Sequence, residues 1–120
     1  GEAAADVMRP YLDHADTNLV ITAAAALASS DDAADVARAE ETLKRLAADS
    51  SDAAAEQRRQ VARALGLVTN PRLRPLLVPL MYDDHYYVAR AAVNSAGTIG
   101  GDDFLYVPTL VTLMRNRRLK

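Results

Sequence analysis

An all-α fold of about seven helices, stacked as antiparallel pairs, is what this 120-residue chain predicts. Three observations carry the prediction. Half of the residues are hydrophobic but only 5% are aromatic, and alanine and leucine dominate, which suits closely packed helices better than sheet. Related stretches recur at intervals near 34 residues. Each recurring unit holds two helical segments, the mark of an α-solenoid, whose units bury their apolar faces only against one another.

The recurrence is read residue by residue. "PLLVPLM" (75–81) returns as "PTLVTLM" (108–114) at an offset of 33, with Pro, Leu, Val, Leu and Met in place. Thirty-four residues before Leu77 and Leu80 stand Leu43 and Leu46, and thirty-four before Leu46 stands Leu12. The second segments match too. "DDHYYVARAAVNSAG" (83–97) aligns with "DAAAEQRRQVARALG" (52–66) at an offset of 31 and with "ADTNLVITAAAALAS" (15–29) at an offset of 68. The longer middle interval is absorbed by extra turn residues in "DSSD" (49–52).

In order, helices are expected over about 3–12, 17–29, 33–48, 53–66, 72–82, 85–98 and 103–116. They make repeats of about 1–30, 31–69 and 70–100, with a half repeat over 101–120, all in one domain. Thr17, Asp31 or Asp32, Asp52, Asn70 and Asp102 are the expected N-caps, because their side chains accept from first-turn amides. Pro71 suits the first helical position after Asn70. Pro75, Pro79 and Pro108 fall inside helices and should bend them, each removing an i→i−4 hydrogen bond. "GTIGG" (97–101) reads as a helix C-cap rather than a phosphate loop. On the sixth helix Val88, Ala91, Ala92, Ser95 and Ile99 share a face that should pack on Leu73, Leu77 and Leu80.

Charge and composition bound the function. The net charge is −2, but residues 1–60 carry 12 acids and 6 bases while residues 61–120 carry 4 acids and 8 bases. Such an asymmetry can orient a partner or a neighbouring domain, and is too weak to argue for nucleic acid. No cysteine is present, which removes disulfides, thiolate nucleophiles and cysteine metal sites and fits a reducing, cytoplasmic setting. No run approaches the roughly 20 apolar residues that span a bilayer. The ends, opening on Gly1 and closing on "RNRRLK", read as those of a piece of a longer chain.

"YDDHYY" (82–87) is the one cluster of chemical side chains. Asp83, Asp84 and His85 are consecutive at a helix start, where neighbours point about 100° apart, so they are not expected to converge on one ion. The reading is a turn in which Asp83 or Asp84 caps the next helix. No G-x-S-x-G and no Gly-rich phosphate loop occurs. No catalytic residue, cofactor or metal is expected. The basic end, Arg115, Arg117, Arg118 and Lys120, suits a helix C-terminus, where cations meet the helix dipole, or contact with a phosphate, a lipid headgroup or an acidic domain.

A helix with internal proline, an Asp-bearing turn, then V-x-R-A-A and a small-residue finish with Gly resembles the HEAT repeat, in particular the short bacterial type found beside phycobilin lyases. "PLLVPLMYDDHYYVARAAVNSAGTIG" (75–100) carries the resemblance best. Thr22 departs from it, standing where Arg59 and Arg90 would predict arginine. The tetratricopeptide pattern shares the period, but its Trp and Gly-Tyr landmarks are missing. A looser resemblance is to HEAT segments attached to bacterial transporters of the major-facilitator type, akin to nucleotide translocases, and would make this the cytosolic part of a membrane protein. HEAT proteins with iron chemistry carry His-Glu pairs, and HEAT-like DNA glycosylases lean on tryptophan; this chain has neither. The resemblance therefore implies a non-enzymatic scaffold whose partner is another protein or another domain of the same chain; the alternatives are a soluble regulatory segment of a bacterial membrane transporter and, last, an enzyme of the HEAT-like lyase or hydroxylase type.

In a stacked solenoid the second helix of each pair lines the concave surface. The polar stripe there is the expected partner-binding face: Asn18 and Thr22, then Arg59 and Arg63, then Tyr86, Arg90 and Asn94. A competing role for Arg59 and Arg90 is an internal ladder onto turn carboxylates such as Asp52 and Asp83.

Overall fold

The computed structural model describes residues 2–99, with side chains from Ala4 onward. The expected seventh helix, its Asp102 cap, Pro108 and the basic end lie outside the described residues. Within them the fold is entirely helical, with no strand. Helix α1 (Glu2–Met8) tightens into a 3-10 turn at Arg9–Asp13; α2 spans Thr17–Leu27 and α3 Ala33–Ala48. A 3-10 turn (Asp52–Ala54) leads into α4 (Ala55–Leu65), a 3-10 segment (Pro71–Leu76) into α5 (Leu77–Met81), and α6 covers Tyr86–Ile99.

Prolines explain where the helices depart from the expected spans. Pro10 opens the first 3-10 turn, so the single helix expected over 3–12 changes geometry midway. Pro71 and Pro75 hold the next such segment as a 3-10 helix, leaving only the short α5 instead of one helix over 72–82. A missing amide every few residues favours the i→i+3 pattern over a regular α-helix.

Caps fix the remaining ends. Asp16, not Thr17, accepts from Asn18 N–H at 2.9 Å. Asp32 accepts from Ala34 N–H at 2.9 Å and Asn70 from Arg72 N–H at 3.0 Å, with Pro71 following as expected. Asp52 does not cap. Asp49 holds that turn instead, accepting the Ser51 amide at 3.1 Å and hydroxyl at 2.8 Å, because the bend falls earlier than the helix start. Gly97 lies inside α6 rather than at its end, since the helix runs on to Ile99.

Two layers result. In one, α2, α4 and α6 pack side by side; in the other, α1, α3 and the Pro71–Met81 segment each pair with the helix that follows. The repeat register is visible in the core. Ile21, Arg58 and Ala89 are equivalent under the offsets of 37 and 31, as are Ala24, Val61 and Ala92, and Ala28, Leu65 and Ala96, and all nine are buried. Leu12, Leu43 and Leu77 fill the other layer. Val88, Ala92 and Ser95 are buried on α6 with Leu73, Leu77 and Leu80 opposite, while Ala91 and Ile99 are half-buried at the margin.

Gly66 sets the spacing between α4 and α6. A Cβ there would lie 2.6 Å from Ser95 Oγ and 2.9 Å from Ser95 Cβ. Its backbone is ordinary right-handed helix, so space rather than backbone freedom demands glycine. The same close approach lets buried Ser95 donate its hydroxyl to the Ala62 carbonyl at 2.7 Å.

Candidate functional site

Three arginines on α4 meet different fates because of helical geometry. Arg58 shares the inward stripe with Ala55, Val61, Ala62 and Leu65 at i, i+3, i+4 and i+7 spacing. Arg59 is rotated by about 100° from it, and Arg63 lies one turn beyond Arg59 on the outward face. Similarly, Arg90 and Asn94 are i, i+4 neighbours on α6, and Asn18 and Thr22 are on α2.

Arg58 is sunk at the turn edge of the stack. Its Nε donates to Asp83 Oδ2 at 2.6 Å and Nη2 to Asp83 Oδ1 at 3.3 Å. Its Nη1 donates to the carbonyls of Asp49 at 2.5 Å and Ser51 at 2.8 Å. One guanidinium thus ties α4 to its own leading turn and to the turn before α6. The side chains of Arg58 and Asp83 are only 4% and 10% exposed, so this pair is withdrawn from solvent screening. Burial pushes the Asp83 carboxyl upward, but the Arg58 hydrogen bond, the His85 amide (2.9 Å) and the Arg58 charge together bring it below the usual carboxylate range.

The internal ladder expected of Arg59 and Arg90 is therefore carried by Arg58. Arg59 pairs along its own helix with Glu56 at 3.0 Å, and Asp52 meets His85 Nε2 at 2.9 Å. The turn "YDDHYY" accordingly serves structure: Asp83 accepts from His85 N–H and from Arg58, as one of its two expected roles required. Among the described residues no group of three or more His, Asp or Glu side chains is placed to hold a metal ion.

A second clamp closes the other end. Arg9 grips Asp35 with two hydrogen bonds of 2.7 Å, and Asp35 also accepts from Ser30 Oγ at 2.9 Å. The Arg9 hydrogen bonds, helped by Ser30 and working against burial, hold the Asp35 carboxyl at about 2. Asp6 shares Arg9 as a second, exposed partner.

The outward faces of α2, α4 and α6 form two adjoining grooves. The one between α4 and α6, about 460 Å³, has Arg59, Arg63, Arg90 and Asn94 along its sides. The one between α2 and α4, about 420 Å³, has Asn18, Thr22 and Arg63. Arg63 and Leu67 border both. Of the stripe read from the sequence, Tyr86 alone lies off the grooves: it is half-buried at the start of α6, and its neighbour Tyr87 lines the wall instead. Among the described residues no carboxylate lines either groove. Arg63 and Arg90 are exposed and make no hydrogen bond or ion pair among the described residues. Thr22 donates its hydroxyl to the Asn18 backbone carbonyl at 2.9 Å, and the Asn18 side-chain amide makes no hydrogen bond among the described residues.

Sequence reasoning missed two features. Arg58 was legible as a charge on an apolar helical stripe. Leu67, 84% exposed at the seam of the grooves, follows the end of α4, where no periodicity marks its direction.

A family model for HEAT repeats matches residues 39–118, two thirds of the chain. The chain belongs to the HEAT-repeat family. The match begins within α3, so the first helix pair, where Thr22 replaces the expected arginine, precedes it. Comparison with curated proteins and with solved structures gives no match. HEAT repeats are in general scaffolding and protein-interaction elements rather than enzymes. Among the described residues of this HEAT chain, no helix is long and apolar enough to cross a membrane.

Proposed function

We propose that this HEAT domain is a non-enzymatic scaffold that docks another protein, or another segment of its own chain, on the outward face of α2, α4 and α6. The observation that carries the reading is the pair of adjoining grooves bordered by Arg59, Arg63 and Arg90, with no lining carboxylate among the described residues. Repeat proteins lack a single deep pocket and recognise partners over equivalent faces of successive units. Arginine and tyrosine are also the residue types that most often dominate interface energies. Asn18, Thr22, Arg59, Arg63, Arg90 and Asn94 are the contacts expected to matter, with Tyr87 joining them and Tyr86 supporting the wall.

Site-specific photo-crosslinking tests this. A benzoylphenylalanine placed at Thr22 or Asn94 should capture a defined protein segment, and one placed at Glu41 on the opposite layer should not. Capture should fall when Arg63→Glu and Arg90→Glu are introduced together. Capture from Glu41 alone, or capture insensitive to both charge reversals, would move the docking face elsewhere.

A further inference from the structure

The groove pair says something about the chemistry of its occupant. We infer that it takes a short acidic peptide segment, with carboxylates meeting Arg63 and Arg90 and one aliphatic side chain seated against Leu67; this rests on the docking face proposed above.

Two planar guanidinium groups stand on facing walls of one groove, both exposed and both without an acceptor among the described residues. Five other arginines have a carboxylate partner within the fold: Arg9 has Asp35, Arg58 has Asp83, Arg59 has Glu56, Arg38 has Asp13 and Arg72 has Glu40. In a chain with more acids than bases, Arg63 and Arg90, unpaired among the described residues and in grooves that no described carboxylate lines, make that face attractive to anions. Guanidinium forks match carboxylates with two parallel hydrogen bonds. Leu67 adds an apolar contact at the seam, 84% exposed, with Tyr87 at 45% along the α6 wall. The side-chain amides of Asn18 and Asn94, without hydrogen bonds among the described residues, line one groove each and can donate to and accept from an extended peptide backbone.

A nucleic-acid strand fits less well. Its binding needs several cations along a track, and here one of the three groove arginines is already neutralised by Glu56. The net charge of −2 opposes a polyanion further. A peptide with two acids and a leucine uses what the groove offers.

The test uses the full 120-residue chain and fluorescein-labelled nonapeptides built around Glu-Glu-Leu-Glu-Glu, with Gln replacing every Glu, or Ser replacing Leu, in the controls. Anisotropy should show binding of the Glu-Leu peptide that weakens as salt rises, and weaker binding of both controls. Arg63→Ala and Arg90→Ala should each reduce affinity roughly fivefold, and Arg→Lys at either position less. Amide shifts in NMR spectra should map to α2, α4 and α6. Equal binding of the Glu and Gln peptides in the groove would overturn the acidic specificity and leave the docking face standing. Shifts confined to α3 and α5 would overturn both. Tighter binding of a phosphoserine version by more than tenfold, or of a short oligothymidylate, would replace the acidic peptide by a phosphate-bearing ligand. No binding of any peptide at millimolar concentration would also overturn the inference, the docking face then resting on the crosslinking result.

Discussion

Arg58 and Arg63 stand five residues apart on one helix, and the two regions they belong to work in opposite ways. At the turn edge, Arg58 is buried and each of its three guanidinium nitrogens has a protein acceptor: the oxygens of Asp83 and the carbonyls of Asp49 and Ser51. On the groove face, Arg63 and Arg90 are exposed and have none among the described residues. The comparison teaches how a repeat protein can separate holding itself together from holding something else. Charges on the inward stripe lock one repeat to the next, and charges on the outward face remain available.

The sharpest way to break this comparison is to remove the buried charge. Arg58→Ala leaves Asp83 withdrawn from water without its cation, and should lower the unfolding free energy by about 3–5 kcal/mol in urea titrations. Replacing both partners with apolar residues, Arg58→Met with Asp83→Leu, should recover much of that loss. If the double replacement is as unstable as Arg58→Ala, the two backbone carbonyls rather than Asp83 carry the clamp.

Next in size is the helix spacing. Gly66→Ala drives a methyl group into Ser95 and should destabilise by about 1–3 kcal/mol, because α4 and α6 must separate or Ser95 must leave its Ala62 bond. Adding Ser95→Gly should relieve most of the overlap. A Gly66→Ala protein as stable as the parent would mean that the layer tolerates wider spacing.

The pH response belongs to the buried clamps and not to the groove. Asp35 and Asp83 both titrate below the ordinary carboxylate value of 3.8, so the unfolded chain binds protons more readily than the folded one. Their stabilisation is full above about pH 4 and is lost as pH falls through the folded values, which for Asp35 means toward about 2. Acid unfolding should therefore be steep below pH 4. Arg58→Ala should flatten that slope by removing the Asp83 share, and Arg63→Ala should leave it unchanged.

The smallest expected effects on stability belong to the groove. Arg63→Ala, Arg90→Ala and Arg59→Ala should each shift the unfolding free energy by less than about 0.5 kcal/mol, since exposed arginines contribute little. A loss of 2 kcal/mol or more at Arg90 would place it in a structural network after all.

Much of the architecture was legible before any coordinates. Leu43 and Leu77 recur at the repeat offset and both are buried, and Val61 aligns with Ala92 at the second offset with the same result. The helices expected over 17–29, 33–48, 53–66 and 85–98 lie within two residues of those spans. What the sequence hid was local. Pro10 and Pro75 reveal that a helix is interrupted, but not that the backbone tightens into 3-10 turns rather than kinking. The ladder was placed on Arg59 and Arg90 because pattern alignment matches arginine with arginine. Burial instead follows the stripe, where Arg58 aligns with Ile21 and Ala89, two apolar residues that give no hint of a cation. On α6 the stripe pointed to Tyr86, whereas the wall of the groove is Tyr87, one residue and about 100° away.

A double-mutant cycle on Arg58 and Asp83 tests the central claim most directly. Unfolding free energies of the parent, Arg58→Ala, Asp83→Ala and the double variant should give a coupling of about 1.5 kcal/mol or more, toward the upper part of the 0.5–3 kcal/mol range for contacting residues. Coupling near zero, with the two losses simply adding, would contradict an account in which this clamp joins the repeats.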